Sequence, residues 1–233
     1  MKHFTVIIPA GGSGQRFGSP QPKQFVTISG IPLLHHTLRI FESCPRISRI
    51  LVALSTPVDV LPISWPFDPP RIRAVCCAGA TRAITVANAL DHLAAELSSE
   101  DWVLVHDAAR PCLTTEALER LLDQLSTDTV GGLLAIPVSD TLKRQSSEQR
   151  VAQTIDRQQL WAAQTPQMFR FAPLRRALQR HPDATDESSA MEAEGLAPRL
   201  VLGEITNLKI TYPADLQLAQ ILLEARHAHR SGI

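Results

Sequence analysis

Arg16 and Lys23 are two cations on one loop, and that loop follows an apolar run and is rich in glycine. Phe4-Thr5-Val6-Ile7-Ile8 leads into Pro9-Ala10-Gly11-Gly12-Ser13-Gly14-Gln15-Arg16-Phe17-Gly18 and on to Pro22-Lys23-Gln24. A β-branched strand that breaks into glycines presents backbone N–H groups without side chains to shield them. Such a loop wraps an anion and donates several hydrogen bonds to it. Arg16 and Lys23 add positive charge beside it. The combination points to a phosphate site built for reaction as well as for binding.

The familiar phosphate and nucleophile motifs fail here by specific residues. In the dinucleotide fingerprint Gly12 and Gly14 fill two slots, but Phe17 holds the third. The P-loop needs Gly-Lys-Ser/Thr, whereas Lys23 lies between Pro22 and Gln24. A nucleophile elbow centred on Ser13 is broken by Gln15.

Further polar residues fall at the ends of expected strands or in the segments after them: Arg82, Thr85, Asp107, Arg110, Thr141, Arg157, Thr165 and Lys209. This set is rich in cations and poor in general bases. It suits transfer to a nucleophile that is already ionised, such as a phosphate monoester, where catalysis consists of alignment and charge stabilisation. Lysine is used sparingly: Lys2, Lys23, Lys143 and Lys209 are the only four among 23 basic residues. Where arginine is the habit, a lysine marks a place for a compact ammonium. Asp107 reads either as a site carboxylate or as a cap of the turn after it, and Arg110 either as a site cation or as its partner. His106 reads as a satisfied residue at a strand end, and His35-His36 as solvent-facing.

These residues need a scaffold. At 233 residues, with 44% apolar and 5% aromatic content, the chain fits one α/β domain with an aliphatic core. Equal numbers of acidic and basic residues, 23 each, argue against nucleic acid as a partner. No apolar run reaches the roughly 20 residues a membrane span needs. A strand beginning almost at Met1 leaves no room for a signal peptide, so a cytoplasmic location is expected. Cys44, Cys76, Cys77 and Cys112 are scattered and read as small hydrophobes rather than as a metal or disulfide framework.

Helices are expected over Leu33–Glu42 and Thr115–Leu125, after the Thr81 cap along Ile84, Ala87, Leu90, Ala94 and Leu97, near Asp186–Glu194, and from Pro213. Strands are expected at Phe4–Ile8, Arg49–Leu54, Ile72–Cys76, Trp102–His106, Leu133–Ile136 and Leu200–Leu202. The Pro-rich stretch Val58–Pro70 reads as an irregular connection. The alternation implies a doubly wound, mostly parallel, Rossmann-like sheet, with ligands at the carboxyl ends of its strands. Polar residues 138–161 read as a β-hairpin arm projecting from a single domain spanning 1–233.

Pro9–Arg16, Pro22-Lys23-Gln24, Val105–Pro111, Asp140–Lys143, Asp156-Arg157, Thr165-Pro166-Gln167, Thr185-Asp186-Glu187 and Asn207–Thr211 occur in that order. Together they make the chain resemble the 2-C-methyl-D-erythritol 4-phosphate cytidylyltransferases of the non-mevalonate isoprenoid pathway. The resemblance implies a nucleotidyltransferase sheet and displacement of pyrophosphate from CTP by the methylerythritol phosphate oxygen. It implies that Arg16 and Lys23 stabilise the pentavalent transition state and that Pro9, Ala10, Gly11, Gly12, Ser13, Gly14, Gly79, Arg82, Thr85, Asp107 and Ala108 hold the nucleotide. Arg157 and Lys209 are implied to position the acceptor phosphate, with Asp107, Arg110, Thr141 and Thr165 completing its pocket. Magnesium is implied on the CTP phosphates, and a homodimer through the arm, with Arg157 reaching the partner's site. Ala80, Thr85 and Thr206 stand where the family commonly has an acidic residue, a serine and an aspartate. A cytidylyltransferase for another polyol or sugar phosphate, and a non-catalytic nucleotide-binding module, are the alternatives the sequence leaves; Phe17 in the third glycine slot disfavours a dehydrogenase.

Overall fold

A computed structural model describes residues 4–12, 17–18, 21–61, 63–65 and 71–230. The first strand, β1 (Phe4–Pro9), is β-branched and almost wholly buried, which suits a central position in a sheet covered on both faces. A one-turn 3-10 segment (Lys23–Phe25) follows the glycine loop, and then a tight hairpin, β2 (Thr27–Ile28) with β3 (Ile31–Pro32). Ser29 and Gly30 turn that hairpin with φ of 49° and 76°, the positive pair a two-residue loop requires. Next come α1 (Leu33–Glu42), β4 (Ile47–Leu54), β5 (Ile72–Cys76), α2 (Arg82–His92), β6 (Trp102–Val105), α3 (Thr115–Leu125) and β7 (Gly131–Pro137). The connection before β5 holds only a 3-10 turn at Val58–Val60 among its described residues. Thr81 and Thr114 cap α2 and α3 by accepting from Ile84 N and Ala117 N. Helix α2 stops at His92, so Ala94 and Leu97 lie in the turns beyond it, although Leu97 still packs on the core.

The chain then leaves the body in the pair β8 (Leu142–Gln145) and β9 (Val151–Ile155), a separate two-stranded antiparallel sheet whose side chains are nearly all exposed. It returns through β10 (Trp161–Arg170), then α4 (Phe171–Arg180), α5 (Glu187–Ala193), β11 (Arg199–Leu202) and α6 (Pro213–Arg230). Seven strands form the main sheet in the order β11-β7-β10-β6-β1-β4-β5. All its pairings are parallel except those of β10, which runs antiparallel between β6 and β7.

Alternating side chains divide the core into two layers. Val6, Ile8 and Leu104 face α1 and α3, meeting Leu34, Leu38, Phe41, Leu118, Leu121 and Leu122. Ile7, Val103 and Val105 face α2 and α4, meeting Val86, Leu90, Leu174 and Leu178. His35 and His36 are buried, at 4% and 6% exposure, not solvent-facing. Helix α1 is covered on a second side as well, and His36 Nε2 sits 3.1 Å from the Ile28 carbonyl of the small hairpin.

The order of strands fixes where a ligand can enter. From β1 the chain moves outward through β4 and β5, then returns to place β6 on the other side of β1. The carboxyl ends of β1 and β6 therefore flank the point where winding reverses, the place at which such sheets open a crevice. The glycine loop leaves β1 there, and His106-Asp107 leaves β6.

Candidate active site

Loop geometry at the end of β1 is set by a buried amide. Gln24 Nε2 donates to the carbonyls of Ala10 at 2.8 Å and Gly12 at 3.0 Å. Those oxygens are held by Gln24, and Ala10, Gly11 and Gly12 border the crevice. Opposite it lies the turn before α2. Gly79 N donates to Thr85 Oγ1 at 3.0 Å, and that hydroxyl donates to the Thr81 carbonyl at 2.9 Å. Loop and turn approach so closely that a Cβ on Gly11 would overlap Ala78 Cβ, and within the turn itself a Cβ on Gly79 would overlap Ile84 at the start of α2. Glycine is required at both positions by space.

Charge gathers around Asp107. Its Oδ1 receives Arg82 Nε at 3.0 Å; its Oδ2 receives Lys209 Nζ at 2.8 Å, with Arg110 Nε at 3.5 Å. Arg82 carries a second carboxylate, Glu187, through Nη1 to Oε1 at 2.7 Å and Nη2 to Oε2 at 3.1 Å. Burial alone would raise the Asp107 carboxyl, but the charges of Arg82, Lys209 and Arg110 outweigh it and hold the group far below the usual carboxylate range. Burial works against the Arg82 charge too; Glu187 and Asp107 overcome it and raise its pKa. The carboxylate of Asp107 thus serves three cations rather than capping the turn after it.

Behind Asp107 a neutral relay fixes its backbone. Asp107 N–H donates to Thr165 Oγ1 at 3.0 Å, and the same hydroxyl lies 3.0 Å from His106 Nδ1. His106 Nε2 lies 3.1 Å from the Arg110 carbonyl. A carbonyl only accepts, so Nε2 carries the ring proton and Nδ1 accepts from Thr165. Complete burial lowers the His106 pKa to about 4, which keeps the ring neutral near pH 7. Arg110 Nη1 donates to the Asn207 carbonyl at 2.7 Å, and Asn207 Nδ2 donates to the Thr165 carbonyl at 2.9 Å, tying the loop before α6 to β10. Lys23 reaches the same loop, Nζ to the Ile210 carbonyl at 2.7 Å.

A cleft of about 750 Å³ opens at this point. Pro9, Ala10, Gly11, Gly12, Lys23, Gly79, Arg82, Thr85, Asp107, Ala108 and Lys209 all line it, together with Phe17, Gln24, Ala80, Thr81, Ala109 and Thr211. Ser13, Gly14 and Arg16 lie outside the described residues. Arg110 and Thr165 are buried behind Asp107 and do not line the cleft. Thr141 and Arg157 are exposed on the arm, away from the lining, and Arg157 donates to the Ser139 carbonyl. Thr206 Oγ1 is directed at Glu204, 3.4 Å away, while Ala80 sits on the cleft wall. Gln24 and Glu187 stand in the motifs already quoted, yet their types suggested no role; only the partners they find reveal one. A second cavity of about 580 Å³, between α1, α6 and the start of α3, is lined by none of the expected residues.

A family model described as 2-C-methyl-D-erythritol 4-phosphate cytidylyltransferase matches residues 4–225. The chain belongs to that family. It is 52% identical over 227 residues to the 2-C-methyl-D-erythritol 4-phosphate cytidylyltransferase of Laribacter hongkongensis, covering 96% of this chain and 97% of that one. To the enzyme of the same name from Dechloromonas aromatica it is 50% identical over 226 residues, 97% and 99% of the two chains. Among solved structures, the Francisella tularensis 2-C-methyl-D-erythritol 4-phosphate cytidylyltransferase aligns with a TM-score of 0.82 at 33% identity, over 95% of this chain and 100% of that one. The chain is therefore a nucleotidyltransferase that uses CTP to cytidylylate 2-C-methyl-D-erythritol 4-phosphate in isoprenoid precursor biosynthesis. Its sheet has the α/β nucleotidyltransferase architecture that the motifs implied.

Proposed function

We propose that the transfer runs in the cleft between the Gly11 loop and Asp107, by alignment and charge stabilisation without a general base. The acceptor phosphate arrives ionised, so no side chain has to remove its proton. Its oxygen attacks the α-phosphorus of CTP; the new P–O bond forms as the bond to the α–β bridging oxygen breaks, and pyrophosphate leaves with the electron pair. What supports this reading most is the charge of the cleft: among the described residues its lining holds three cations, Lys23, Arg82 and Lys209, against one carboxylate, Asp107. The nearby imidazole, His106, is fully buried and spent on internal hydrogen bonds.

In this reading Lys23, with Arg16 from the loop, stabilises the pentavalent α-phosphorus. Residues 11–14 wrap the triphosphate with backbone N–H groups, and Pro9 and Ala10, whose N–H is held by the Ala53 carbonyl, form the wall behind them. Gly79, Arg82, Asp107 and Ala108 seat the nucleotide, and Thr85 acts through the Gly79 turn that it braces. Lys209 and Arg157 take the acceptor phosphate. Thr165 and Arg110 support that pocket from behind Asp107, and Thr141 from the arm. Because Arg157 does not line the cleft of its own chain, it serves the cleft of a second copy, and the arm is the dimer contact. Exposed Val151 and Trp161, at 65% and 38%, supply apolar surface for that contact.

The donor set does not fit a magnesium ion held by protein alone. Both oxygens of Asp107 are engaged by cations, and among the described residues no group of three His, Cys, Asp or Glu is placed to bind a metal. A magnesium ion would have to be held mainly by the nucleotide's own phosphates, and the chemistry it would supply is to lower the charge that repels the incoming phosphate. Cytoplasm, the source of CTP, is the location that fits this chemistry. No described helix is long and apolar enough to cross a membrane.

A crystal soaked with CTP and magnesium tests the reading. The triphosphate is expected along residues 10–14, with Lys23 turned from the Ile210 carbonyl toward the α-phosphate. A triphosphate lodged elsewhere, with Lys23 still on Ile210, would overturn it.

A further inference from the structure

Glu187 has no part in the chemistry above and does not line the cleft, yet it is completely buried at 0% exposure. A buried carboxylate is unfavourable unless it is paired and hydrogen-bonded. Its partner is a residue of the cleft wall: both oxygens take the two terminal nitrogens of Arg82, at 2.7 and 3.1 Å. The third nitrogen, Nε, donates to Asp107 Oδ1 at 3.0 Å. A guanidinium has five N–H bonds; the two carboxylates take three of them, leaving one N–H on each terminal nitrogen, at opposite edges of the plane.

The element that carries Glu187 is itself anchored. Asp186 and Ser189 form a capping box at the start of α5. Gln167 on β10 donates to Asp186 Oδ2 at 2.8 Å and accepts from Ser188 N at 2.7 Å. The grip on Arg82 therefore traces back to the sheet, a stiff origin for a side chain that must hold one orientation.

We propose that Glu187 is a positioning residue for the nucleotide, holding the Arg82 guanidinium in the one orientation in which it meets the triphosphate from the cleft wall. Without that grip, Arg82 turns toward Asp107, the one carboxylate left to it, and the guanidinium loses that orientation. The proposal rests on the reading of Arg82 as part of the nucleotide pocket, and its test separates the two.

Steady-state pyrophosphate release is measured for Glu187→Gln, Arg82→Gln and the double variant, varying CTP and acceptor in turn. Each single variant is expected to raise the KM for CTP about tenfold, with kcat and the acceptor KM within about threefold of wild type. The double variant should be no worse than Arg82→Gln alone, because Glu187 acts through Arg82. A residue that merely packs would lower the unfolding midpoint without this selective, non-multiplying effect on CTP. If Arg82→Gln leaves the CTP KM unmoved, the nucleotide pocket itself is misplaced. If Arg82→Gln raises it while Glu187→Gln does not, or the losses multiply, the Glu187 proposal alone is wrong. Should Glu187→Gln fail to fold, the double variant against Arg82→Gln decides, since removing both partners strands no buried charge; a further rise above about threefold overturns the proposal.

Discussion

Lys209 Nζ and Asp107 Oδ2 lie 2.8 Å apart, joining the loop before α6 to the end of β6. Arg82 holds the other oxygen of Asp107, so this carboxylate clamps three segments of chain at the mouth of the cleft. The cations depress its pKa in the fold, which places its stabilising effect above the unfolded-state pKa near 4 and removes it as pH falls through the much lower folded value. Asp107→Asn should cost about 3 kcal/mol at pH 7, because the cations lose a buried counter-charge. Urea unfolding measures this, and a loss below about 1 kcal/mol would contradict the clamp.

His106 acts in a different pH window. Burial lowers its folded pKa to about 4 from 6.5, so between those values the unfolded chain binds the extra proton. Stability should therefore fall as pH drops from about 6.5 to about 4, by about 3 kcal/mol from this one group. A His106→Asn variant, less stable at pH 7, should show a much flatter profile across that interval. Denaturant midpoints at several pH values would test it; parallel profiles for the two proteins would reject the assignment.

Arg157 and Lys23 should complement each other across subunits if the arm serves a second copy. Mixing Arg157→Ala chains with Lys23→Ala chains gives half heterodimers, each with one intact site. Activity should recover to about a quarter of wild type after subunit exchange. No recovery above either parent would argue for sites complete within one chain.

Much of the scaffold is legible in the chain. The bounds expected for α1, β5 and α3 coincide with those observed, since each has a regular apolar period and two of the three are abutted by turn or cap residues. Strand β10 was not legible: Gln164, Pro166 and Gln167 interrupt its apolar run, and its burial comes from insertion between β6 and β7. Helix α4 hides its stripe of Phe171, Leu174, Ala177 and Leu178 among arginines and has no capping side chain. At the site, the carboxyl-end rule placed the glycine loop, Gly79 and Asp107 on one rim. It did not reveal that the Thr165 and Thr85 hydroxyls brace backbone, or that Gln24 and Glu187 set the loop and Arg82. Those roles depend on partners far apart in sequence, and no local pattern encodes them.

In the proposed reaction Lys23 matters most where charge develops at the α-phosphorus. The direct measurement is kcat for Lys23→Ala at saturating CTP and acceptor, beside its CTP dissociation constant from calorimetry. A fall in kcat of about a hundredfold or more, with affinity changed by less than about fivefold, is the expected result. An unchanged kcat with only weaker CTP binding would contradict it.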